Sequence, residues 1–166
     1  MEKKILAIIF GEKTAEHEVS LQSAYSVFKN LNNEKYLVVP IGITRKGDWY
    51  RYYGSFDSIF DGTWDKDVNN LTPVVVSQYQ NQGGIIELSQ KQLTKIDLAF
   101  PVLHGKNGED GTVQGLFELF DIRVIGCGTL ASALCMDKDR AHSLVKSTGI
   151  SVPESITINV NFPYIF

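Results

Sequence analysis

Cysteine is nearly absent from this chain of 166 residues: Cys127 and Cys135 are its two, eight positions apart. That separation matches neither zinc-ligand nor redox-motif spacing, and two thiols cannot build a disulfide framework. A reducing, cytoplasmic setting is therefore expected. A dominant charge is missing as well, since 16 basic side chains face 19 acidic ones for a net charge of -3. Backbone-driven nucleic-acid binding needs a one-sided positive field, so nucleic acid is not an expected partner. Apolar runs stay short. The first, Ile5 to Phe10, follows Lys3 and Lys4 but is too brief for a signal sequence or a membrane span and lacks a small-residue cleavage site. No membrane partner is expected. The histidines His17, His104 and His142 are far apart and form no i, i+4 pair, so metal-ligand spacing is absent too.

What is there is an ordinary globular composition, 43% hydrophobic and 11% aromatic, enough for one domain and part of a second. Ile5 to Phe10 is continuously apolar and bounded by Gly11, the pattern of a central strand covered on both faces. From Val19 to Leu31 the residues Leu21, Ala24, Tyr25, Val27, Phe28 and Leu31 recur at helical spacing. Tyr36 to Ile43 is a second apolar strand, which completes a βαβ unit with parallel strands. Arg45 to Asp48 predicts a turn and Trp49 to Tyr53 an aromatic strand folding back as an edge hairpin. The stretch from Gly54 to Asn70 is irregular and polar. Short edge strands follow at Val74 to Val76 and Gly84 to Leu88, then a buried strand at Ile96 to Val102, a helix opening near Gly111 and Thr112, and a strand from Arg123 to Ile125. The fold class is α/β with a mainly parallel sheet flanked by helices. A last helix runs from Asp137 to Thr148, with Gly149 ending it. Ser155 to Ile158 reads as the first strand of something new, and the apolar tail Asn161 to Phe166 stops without a polar terminus, as in a piece of a longer protein.

In such sheets ligands bind at the carboxyl ends of the strands. After the first strand come Glu16, His17 and Glu18 at a helix start; either carboxylate can complement the helix dipole or hold a ligand's ammonium group. His17 reads as a capping or surface residue. After the strand ending at Val102 comes His104-Gly105-Lys106-Asn107-Gly108-Glu109-Asp110-Gly111-Thr112. Its glycines permit positive φ, so successive N–H groups can form an anion-binding nest, while Asp110 or Thr112 can cap the helix. Asp137 is an N-cap candidate, which places Lys138 against the dipole of the last helix. A lysine there either meets an anion or is a solvated surface residue. The aromatic stripe at Trp49 to Tyr53 packs on its own domain or on a partner subunit rather than serving as a single-strand platform.

Three segments together, Glu16-His17-Glu18-Val19-Ser20-Leu21-Gln22-Ser23-Ala24, then Phe100 to Gly111, then Met136-Asp137-Lys138, resemble the D-alanine:D-alanine ligase family of bacterial cell-wall enzymes, which includes the D-alanine:D-serine ligases of vancomycin resistance. The resemblance runs from about Lys4 to Pro153. It implies a Rossmann-like substrate domain over residues 1–134 and, over 135–166, the truncated start of an ATP-grasp domain. Such enzymes form a peptidoglycan dipeptide: ATP phosphorylates the first carboxylate, and the second amino acid's amine attacks the acyl phosphate. Carried over by position, Glu16 holds the first substrate's ammonium group, Val19 and Gly105 line that substrate, His104 lies near its carboxylate, and Lys138 reaches the ATP phosphates. The resemblance also implies Mg2+ in the full-length enzyme, with its ligands beyond this chain, a homodimer, and D-alanine plus a second D-amino acid as partners. One departure is Glu12, which stands where the family usually has a second glycine. Two competing readings of the same sheet are a stand-alone nucleotide or small-molecule binding module and a non-catalytic dimerisation domain.

Overall fold

The computed structural model describes residues 2–79 and 82–156. Its elements, in chain order, are β1 (Lys4–Gly11), α1 (His17–Asn30), β2 (Tyr36–Ile43), β3 (Trp49–Tyr52), α2 (Phe56–Phe60), β4 (Leu71–Tyr79), β5 (Gln82–Glu87), β6 (Gln92–Lys95), β7 (Leu98–Pro101), α3 (Thr112–Leu119), β8 (Arg123–Val124), α4 (Thr129–Met136) and α5 (Lys138–Ser147). The strands form one sheet in the order β6-β5-β4-β3-β2-β1-β7-β8.

β1 has no polar position between Ile5 and Phe10 because helices cover both of its faces. Leu6, Ile8 and Phe10 point to one side, where they meet Leu21, Ala24 and Phe28 of α1. Ala7 and Ile9 point to the other and share a core with Val113 and Phe117 of α3. The period-two alternation thus feeds two separate cores from one strand. β2 and β7 flank β1, both parallel to it, and β8 continues the parallel set. These are the expected strands. The sheet as a whole is mixed, because the chain leaves β2 by a hairpin and β3 to β6 are all antiparallel to their neighbours.

β3 is consequently an interior strand, not an edge: β2 and β4 lie on either side of it. Tyr52 is fully buried in its own domain and Tyr53 is about half exposed. The irregular stretch from Gly54 to Asn70 holds α2 and two 3-10 turns, and its Trp64 is fully buried. The indole packs edge-on against Phe10, centroids 5.1 Å apart, and against Tyr52 at 6.1 Å, while a Cβ at Gly42 would come within 2.3 Å of its ring.

α4 and β6 are elements that sequence periodicity did not indicate. α5 begins where expected: Asp137 Oδ1 accepts the N–H of Arg140 at 3.1 Å. Gly149, at φ +85°, follows its C-cap residue Thr148. Of the strand expected at Ser155 to Ile158, Ser155 and Ile156 have no regular structure. The rest of it, like the tail Asn161 to Phe166, lies outside the described residues. No helix among the described residues is long and apolar enough to cross a membrane.

Candidate functional site

The loops after β1 and β7 meet because these strands are parallel neighbours in register, Ile9 opposite Pro101. Ser20 fastens the two strand ends together. Its hydroxyl accepts the Gly11 N–H at 2.9 Å and donates to the carbonyl of Val102, and the residue is fully buried. Ser20→Ala leaves both backbone groups unpaired, at about 1–3 kcal/mol for each. The expected result is a lower urea midpoint with an unchanged m-value, since the loss is of stability and not of the surface exposed on unfolding.

Two residues read as loop polar groups are interior. His17 is 4% exposed, and its Nδ1 lies 2.7 Å from the carbonyl oxygen of Glu12; the ring stands on the buried stripe of α1, one turn before Leu21, and does not cap or face solvent. Glu12 is 5% exposed. It adopts φ +137°, a region that is essentially reserved for glycine. Its Oε1 accepts the His104 N–H at 3.0 Å, whereas Oε2 is buried without a hydrogen-bond partner among the described residues. Burial raises its carboxyl above the ordinary value, against the opposing pull of the His104 N–H.

The two acidic residues flanking His17 behave differently. Glu16 is the N-cap residue of α1 but its side chain makes no capping bond. Its carboxylate turns instead to the other loop: a Cβ added to Gly105 would lie 2.9 Å from Glu16 Oε2. Glu18 pairs with Arg45 on the surface. Val19, on the same first turn of α1, is 52% exposed. His104 stands beside the pair, with Nε2 3.4 Å from the hydroxyl of Ser23. Glu16, His104 and Gly105 therefore come together at the carboxyl ends of β1 and β7, with Val19 exposed on α1.

The glycine loop has the expected positive φ at Gly105 and Gly111. Four of its N–H donors, however, are filled by the chain's own carboxylates. His104 donates to Glu12, Gly105 to Glu109 Oε2 at 2.8 Å, and Asn107 and Thr112 to the two oxygens of Asp110 at 2.9 and 3.0 Å. Burial alone would raise the Asp110 carboxyl, but the bonds from Asn107 and Thr112 outweigh it and hold the group below its ordinary value.

Lys138 is exposed on the first turn of α5, which packs against α4; no side-chain bond joins it to the Glu16 group among the described residues. Nor does any cluster of three or more His, Cys, Asp or Glu among the described residues suit a metal ion. Sequence reading missed Ser20 and the burial of His17. Both could have been found by extending the Leu21-Ala24-Phe28 stripe back by one turn.

A carboxylate, a histidine and a glycine turn stand at the carboxyl ends of adjacent parallel strands, the position at which α/β sheets bind ligands. The chain belongs to the family described as D-ala D-ala ligase N-terminus, whose sequence profile matches residues 5–127. It is 44% identical over 160 residues to the D-alanine--D-alanine ligase of Thermoanaerobacter sp. (strain X514), covering 95% of this chain and 44% of that protein. It is 41% identical over 159 residues to that of Clostridium novyi (strain NT), covering 96% and 43%. Among solved structures it is similar to the VanG D-Ala:D-Ser ligase from Enterococcus faecalis, with TM-score 0.88 and 57% identity over 92% of this chain and 44% of that one. The D-alanine-D-alanine ligase from Coxiella burnetii gives TM-score 0.82 and 30% identity over 93% of this chain and 44% of that one. The chain thus spans less than half the length of these relatives.

Proposed function

We propose that this chain forms the part of an ATP-dependent D-alanine:D-alanine or D-alanine:D-serine ligase that binds the first D-amino acid. The observation that carries this reading is the convergence of the Glu16 carboxylate on Gly105 with His104 alongside. A carboxylate free of capping duty suits an ammonium group, and the imidazole is a donor for a carboxylate undergoing attack. In the reading, ATP phosphorylates the first substrate's carboxylate and the second amine displaces the phosphate. This chain's share is to fix the first substrate's ammonium end through Glu16, with Val19 and Gly105 beside it. Lys138 belongs to the nucleotide half of the reading, in a region (135–166) that opens an ATP-grasp domain. In this reading the protein works in the cytoplasm as a homodimer.

The test is titration of the chain with D-alanine and L-alanine, followed by amide NMR. D-alanine is expected to shift Glu16, His104 and Gly105, with L-alanine weaker. Equal response to both, or shifts elsewhere, would contradict the assignment. The chain alone is expected to release no ADP from ATP in the presence of D-alanine, since it spans less than half the length of the ligases it matches; D-alanine-dependent release would refute this.

A further inference from the structure

Glu12 combines two features that each cost stability. A non-glycine side chain sits at φ +137°, and a carboxyl is buried with one oxygen lacking a partner among the described residues. Strained backbone of this kind persists only where the surroundings over-determine it, and it gathers at functional sites. The surroundings here are three connections made by one residue. The Glu12 N–H bonds the Ile43 carbonyl at the end of β2 at 3.0 Å. The carbonyl meets His17 Nδ1 at the start of α1 at 2.7 Å. Oε1 takes the N–H of His104, 92 positions away, at 3.0 Å. No other described bond joins the β1–α1 loop to the backbone of His104 directly.

We propose that Glu12 is a positioning residue: its carboxyl clamps the His104 backbone and thereby fixes His104 and Gly105 opposite Glu16. The proposal deepens the reading of that cluster as the D-amino-acid site and rests on it for its consequence, though the clamp itself is testable without a ligand. A scaffold contact needing one acceptor for an amide has no use for a buried charge. A carboxylate, by contrast, makes a charge-assisted bond that holds the amide in one place. Other titratable groups around Glu12 are His104 and Lys106 from the glycine loop, Glu16 and His17 from the start of α1, and Lys13 from its own loop.

The experiment compares the parent chain with Glu12→Gln, which keeps an acceptor, and Glu12→Ala, which removes it. Loss of a charge-assisted bond predicts that the His104 amide exchanges at least about tenfold faster in Glu12→Ala, with β1 and β7 amides little changed. Glu12→Gln, which keeps an acceptor without the charge, should fall between the parent and Glu12→Ala. D-alanine binding should weaken about tenfold or more in the alanine variant and much less in the glutamine one. If exchange accelerates uniformly, or the two variants behave alike, Glu12 is a structural residue only and the proposal fails. If the parent binds no D-alanine, the reading of the site fails while His104 exchange still decides the clamp.

Should Glu12→Ala not fold, pH dependence decides. A carboxyl raised above its ordinary value of 4.5 by burial contributes stability that is fully present below that value and lost as pH rises through the folded-state value. The parent's stability relative to Glu12→Gln should therefore decline with rising pH over that window. The His104 amide shift should show a matching step that Glu12→Gln lacks, while any step from the His104 ring remains in both. Identical pH profiles overturn the proposal.

Discussion

Trp64→Ala is expected to lower the unfolding free energy by about 3–5 kcal/mol, the range for emptying a fully buried large aromatic. For a chain of this size that corresponds to a drop in Tm on the order of 10 °C. The side chain is fully buried, stacked edge-on against Phe10 and Tyr52, and covers the face of Gly42. The indole nitrogen has no hydrogen-bond partner among the described residues, so Trp64→Phe should recover much of the loss. A Trp64→Ala Tm within a few degrees of the parent would contradict this account.

Glu16→Gln is the second large expectation: D-alanine binding falls by about 1.5–3 kcal/mol, the value of a hydrogen bond to a charged group, or roughly 10- to 150-fold. Stability should hardly change. Glu16 is exposed and its side chain caps nothing, so the folded state draws no visible support from its charge. Calorimetry for binding and thermal melting for stability separate the effects. Tm loss with unchanged affinity would return Glu16 to a helix-dipole role.

These predictions mark what the sequence made legible. Uninterrupted apolar runs identified β1 and β2, and the Asp137 cap identified the start of α5, because burial on two faces and N-capping leave local marks. Glu16, His104 and Gly105 stood out through residue type and strand-end position. Trp64 did not, because it sits in 3-10 and turn structure too short to show any period, and its burial depends on Gly42, distant in sequence. α4 is apolar without a clear stripe, and β6 is four residues long. Glu12 was visible as a departure from glycine, but its conformation is imposed by contacts with residues 17, 43 and 104, which no local pattern records.

The carboxylates that occupy the glycine loop have a thermodynamic consequence of their own. Glu109 is four residues from the Gly105 amide it fills, so the two meet at the high effective concentration of a short tether, of order millimolar or more. A dissolved phosphate or carboxylate reaching that amide would have to exchange with an anion already attached to the chain. A free anion of similar intrinsic affinity, dissolved well below that concentration, therefore loses the competition for this amide.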